Sequence, residues 1–126
     1  MKLEFKSKHI QMGKEGKIEF ETDLNKFEVS KNSYEYEFSD PETKELIQIT
    51  IKGKKEATIV SGASTLNFVL NEPIENSFQV EGVGDLLITS FLEKLETKEK
   101  YHLIAYHIKM NNEIIGQFNV ELKIKD

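Results

Sequence analysis

The sequence predicts an all-β protein, an antiparallel up-and-down β-barrel of about eight to ten strands. Polar and apolar residues alternate in run after run, turn-forming residues punctuate the runs at short intervals, and no linker, low-complexity tract or internal repeat interrupts residues 1–126. That length suits one domain with one core.

Taken in order, Leu3 and Phe5 stand against Lys2, Glu4, Lys6 and Lys8. Successive side chains of a strand point to opposite faces, so this run has one oily face and one wet face. Ile18 and Phe20 repeat the pattern against Lys17, Glu19 and Glu21. Tyr34, Tyr36 and Phe38 oppose Glu35 and Glu37, and Ile47, Ile49 and Ile51 oppose Gln48, Thr50 and Lys52. Leu66, Phe68 and Leu70 come next, and Phe118, Val120, Leu122 and Ile124 close the series. Between the runs lie Gly13 and Gly16, Lys31-Asn32-Ser33, Asp40-Pro41-Glu42-Thr43, Gly53-Lys54-Lys55, Gly62, Asn71-Glu72-Pro73, Gly82 and Gly84, Thr97-Lys98-Glu99 and Asn111-Asn112. These are turn formers, and their spacing suggests a meander of short strands. Closing such a meander removes its edges, which favours a barrel over a two-sheet sandwich.

One segment reads two ways. Ile88, Phe91, Leu92 and Leu95 share a helical face with Asp85 as a cap, while Leu86, Ile88, Ser90 and Leu92 share a strand face. The strand is the expectation.

Apolar residues make up 38% and charged residues 31%, a globular balance. No uncharged apolar run is long enough for a membrane helix. Charge and apolar residues alternate from Met1 to Lys6, unlike a signal peptide, and there is no cysteine, so a cytoplasmic location is expected. All 17 basic residues are lysine and the net charge is −5. A bidentate arginine clamp on phosphate is unavailable, and neither nucleic acid nor an anionic membrane is an expected partner.

Several short motifs resemble the YwiB-like family of small uncharacterised bacterial barrels. They are Ser61-Gly62-Ala63 followed by Leu66, then Gly84-Asp85-Leu86, then Ile104-Ala105-Tyr106, with Ile18–Thr22 and Tyr34–Phe38 earlier in the chain. The resemblance implies a calycin-like fold, that of the lipocalins and fatty-acid-binding proteins, and it favours strand over helix for Leu86–Leu92. It implies no activity. Family members often carry arginine at the place of Val60, so any anion grip made there is lost or altered in this chain.

No catalytic residue, metal site or cofactor is expected. Zinc requires three or four converging ligands, and His102 and His107, an odd number apart, face opposite sides of a regular strand. Glu19/Glu21 and Glu35/Glu37 fall on the wet face with the lysines and read as solvated charge. Ser61-Gly62-Ala63-Ser64 lacks the pattern of a nucleophile elbow. The residues singled out for ligand binding are Tyr106, Tyr36, Tyr34 and His9. Each tyrosine offers an apolar ring with a polar tip, and His9 shares the buried parity of Leu3 and Phe5. Against this stands plain core filling, with the hydroxyls reaching the rim or backbone.

Two functions are compatible with these features. In the first, the barrel interior takes a small apolar or aromatic ligand without catalysis. In the second, a filled barrel acts through its surface. Residues 101–108 are apolar on both faces, so an outer patch there would serve a protein partner or a homodimer.

Overall fold

A computed structural model describes residues 1–62, 64–80 and 82–125. Among these every regular element is a strand. They are β1 (Lys2–Gln11), β2 (Lys14–Ser30), β3 (Ser33–Ser39), β4 (Leu46–Lys52), β5 (Glu56–Ser61), β6 (Ser64–Val69), β7 (Pro73–Val80), β8 (Gly84–Lys98), β9 (Tyr101–Met110) and β10 (Glu113–Lys125). All ladders are antiparallel, in the order β6-β5-β4-β3-β2-β1-β10-β9-β8-β7, and the sheet curls into a nearly closed barrel. No helix among the described residues is long and apolar enough to cross a membrane.

Alternation places the core as expected. Leu3, Phe38, Ile49, Ile51, Leu92, Ile104 and Leu122 lose essentially all contact with solvent. Each such burial is worth about 1.5–3 kcal/mol. Phe5, Phe20 and Phe38 form one aromatic group, with Phe5 and Phe20 stacked at 4.8 Å. The charged parity lies outside, where Lys125 meets Glu4 at 2.8 Å and Lys26 meets Glu35 at 3.0 Å.

Asp85–Leu95 is strand throughout, within β8, and its helical look has a physical origin. The β8–β9 register slips between Leu92 and Lys94, a bulge at Glu93. An extra residue reverses the parity of the residues beyond it. Ile88, Ser90 and Leu92 point inward before the bulge, and Leu95 packs on the core after it. Inward residues three apart are what a helix would also show.

Other expectations need correction. The strands are not all short: β2 has 17 residues and β8 has 15. Gly16 is no hairpin residue but lies inside β2, opposite His9. The first hairpin turns on Met12 and Gly13, both at positive φ, the mirror-image turn that suits the strand twist. Thr97 and Lys98 still belong to β8, and the turn is Glu99–Lys100. The Asp40 turn is as read: its carboxylate accepts from the N–H groups of Glu42 and Thr43 at 2.8 and 3.2 Å. Ala63, part of one family-like motif, lies outside the described residues.

Two places depart from a continuous cylinder. Lys14–Asp23 of β2 pairs with β1, while Leu24–Ser30 pairs with β3. The first half of β2 therefore stands beyond β3. The other place is the seam between β6 and β7. Among the described residues no ladder joins them beyond isolated bridges such as Val69 with Glu72.

Candidate functional site

A cavity of about 600 Å³ opens where the first half of β2 stands clear of β3. His9, Gly16, Phe118 and Tyr106 lie in one register row across β2, β1, β10 and β9, all with inward parity. Lys8, Lys17, Glu15 and Glu93 add charge of both signs, and Gln117 and Asn119 add neutral polar groups.

The aromatic wall is built by packing. Tyr106 stacks on Phe118 with centroids 4.9 Å apart and planes at 17°. Phe68 of β6 meets the Tyr106 ring at 4.6 Å, and His9 continues the row at 6.0 Å from Phe118. Two glycines give these rings room. A Cβ on Gly16 would collide with the His9 imidazole, and one on Gly116 would come within 2.7 Å of the Phe118 ring. Burial holds the Tyr106 phenol well above its usual pKa, so it stays a neutral hydroxyl.

The other two selected tyrosines belong to a different cluster. Tyr36 is buried on β3, and its hydroxyl lies 2.6 Å from Nδ1 of His102 on β9. Tyr34 packs edge-on against the same imidazole at 4.5 Å. His102 has 0% exposure, and burial pushes it down from 6.5 to about 4, so it is neutral at pH 7. Burial likewise raises Tyr36. A neutral phenol and a neutral imidazole make one sound bond, in which the Tyr36 O–H donates to Nδ1. Among the described residues no group meets Nε2. His102 and Tyr106 sit four residues apart on the inward face of β9, about 13 Å along the strand, with fully buried Ile104 between them. The structure thus joins Tyr106 with His9, and Tyr34 with Tyr36, but not the two pairs.

Sequence reasoning weighs His102 only as a metal ligand and sets it aside, although its even parity with Ile104 and Tyr106 marks it as inward. Phe118 reads only as core, Gly16 reads as a turn former, and Gly116 gives no sign beyond being glycine inside an alternating run. His107 points the other way from His102, as parity requires. It is stacked on Phe91, and its Nδ1 donates to Glu93 at 2.5 Å. On the outer face of β9, Leu103 is half-buried in a furrow flanked by Lys6, Lys8 and Lys94, and Ala105 is buried. The large apolar side chains left exposed lie elsewhere, among them Ile10, Met12 and Ile114.

No family model matches the chain. An uncharacterized protein of Mycoplasmopsis pulmonis (strain UAB CTIP) is 35% identical over 131 residues, which span 98% of each chain. This chain belongs to the same family as that protein. Among solved structures, the crystal structure of the YwiB protein from Bacillus subtilis aligns with a TM-score of 0.66 at 15% identity, covering 99% of this chain and 91% of that one. At that identity the likeness shows a shared fold, and it agrees with the YwiB-like resemblance of the short motifs.

Proposed function

We propose that the barrel binds a small, planar, mostly apolar molecule in the cavity beside His9, Tyr106 and Phe118, without catalysis. The aromatic row on one wall of that 600 Å³ space carries the reading. Ligand cavities typically run from about 300 to 1,000 Å³, apolar with a few polar groups to orient the guest. Here the ring faces supply stacking area, while the His9 ring and the Tyr106 hydroxyl supply polar contacts. Lysine and glutamate share the rim, so no single ligand charge is favoured. Exposed Ile10 lines the opening, and Met12 is tied to the β10 backbone by a bond from its N–H to the Ile115 carbonyl at 3.2 Å. An apolar lip of this kind suits entry of an apolar guest. The calycin-like character implied by the YwiB-like motifs points to the same class of function.

The test uses N-phenyl-1-naphthylamine, a neutral aromatic probe whose fluorescence rises on leaving water. The wild-type protein enhances it with one site per chain. Gly16→Val, which drives the His9 ring toward the cavity, weakens binding about tenfold, or about 1.4 kcal/mol. No enhancement by the wild-type protein, or equal affinity in the variant, overturns the reading.

A further inference from the structure

The outer edge of β2, from Lys14 to Glu21, has no strand beside it. The β2–β3 ladder begins only at Leu24, and no other backbone hydrogen bond among the described residues reaches this edge. The two-residue turn makes Gln11–Lys14 a bonded pair. Bonded and non-bonded pairs then alternate, so Gly16, Ile18 and Phe20 spend their backbone groups on β1. Glu15, Lys17, Glu19 and Glu21 aim theirs outward, unpaired. At the middle of this edge Ile18 has the inward parity of the core yet is 45% exposed.

We propose that this edge pairs antiparallel with the same edge of a second copy of the chain, about a twofold axis at Ile18. The sequence is self-complementary in that register. Ile18 meets Ile18, Lys17 meets Glu19 twice, and Gly16 lies opposite Phe20. Lys17 and Glu19 are the residues whose free backbone groups would form the new bonded pairs, so hydrogen bonding, charge and apolar contact agree on one alignment. Moving the axis by one residue to Lys17 sets Glu15 against Glu19 and Lys17 against itself. Moving it to Glu19 sets that carboxylate against itself. The favoured register does oppose Glu15 to Glu21, and Glu21 already has Lys125 at 3.4 Å. Lysines on an exposed edge commonly repel a second strand. Here Lys17, which lies 2.9 Å from Glu19 of its own chain, also meets Glu19 of the partner. The surface is distinct from the outer face of β9, and a monomer would leave the ligand reading untouched.

Light scattering on the full chain tests this by charge reversal. The wild-type protein runs at twice 14.6 kDa. Lys17→Glu and Glu19→Lys each place like charges together twice, and each alone runs at 14.6 kDa with a circular dichroism spectrum unchanged from wild type. Mixed in equal amounts they restore both ion pairs, and the doubled mass returns. A monomeric wild-type protein at high concentration, dimers in either single variant, or a mixture that stays monomeric overturns the proposal.

Discussion

The side chain of Asn76 makes with Asn67 the contacts of a peptide group. Its Oδ1 accepts from the Asn67 N–H at 2.9 Å, and its Nδ2 donates to the Asn67 carbonyl at 3.2 Å. Asn67 lies on β6 and Asn76 on β7, across the seam that no ladder joins. The fully buried Ser90 hydroxyl completes the clasp, accepting from Asn76 Nδ2 at 2.7 Å and donating to the Asn67 carbonyl at 2.8 Å. A buried backbone group without a partner is costly, so this amide is what allows the barrel to close without a tenth ladder.

Asn76→Ala therefore strands the buried Asn67 N–H and leaves the Asn67 carbonyl and the Ser90 hydroxyl with their bond to each other as what remains of the clasp. The expected loss is about 3 kcal/mol, with about 1–2 kcal/mol for Ser90→Ala, both read from urea denaturation. An Asn76→Ala protein within about 0.5 kcal/mol of wild type would show that the seam is held otherwise.

His102 sets a pH dependence. Its folded pKa is about 4 against 6.5 unfolded. Between those values the unfolded chain binds more protons, so stability is full above pH 6.5 and falls as the pH drops toward 4, by roughly 3 kcal/mol. The lowered carboxyls of Glu4, Glu19 and Glu96 act only below their usual 4.5. Urea midpoints at pH 7.5 and 5 thus isolate the imidazole. The slope in that window disappears in His102→Gln, and a slope that persists there assigns it to another group.

The two glycines of the aromatic row differ in what they confine. Gly116→Ala displaces a ring packed against Tyr106, at a cost of about 1–3 kcal/mol. Gly16→Ala displaces the half-buried His9, which has room to turn, at under about 1 kcal/mol. Paired denaturation curves decide this. A larger loss at position 16 than at 116 would contradict the packing described.

Deleting Glu93 removes the bulge and puts one half of β8 out of phase. Either Ile88 and Leu92 or Leu95 must then turn to solvent. The loss is at least the burial of one leucine, about 2 kcal/mol. A deletion variant as stable as wild type would mean that the slip in register has no role.

Much of this is legible in the alternation. The inward sets on β1, β3, β4, β6 and β10 are those the period-two pattern marks, because each has water on one face and core on the other. What escapes the pattern does so for local reasons. One inserted residue, Glu93, shifts the parity of β8 and imitates a helix. Asn76 stands where β7 should show an apolar residue, which is a signal, yet its partners on β6 and β8 depend on tertiary closure. Parity sorts Tyr106 and His9 inward, but that Tyr34 and Tyr36 gather around His102 instead depends on which strands face each other across the barrel. Sequence spacing carries no record of that.

The most direct test of the ligand-binding account is a titration of the 15N-labelled protein with N-phenyl-1-naphthylamine, followed by amide chemical shifts. The account predicts saturable changes concentrated at residues 8–10, 15–17, 106 and 117–119, with those around Tyr36 and His102 still. Changes centred on the Tyr36–His102 cluster, or none at saturating probe, would contradict it.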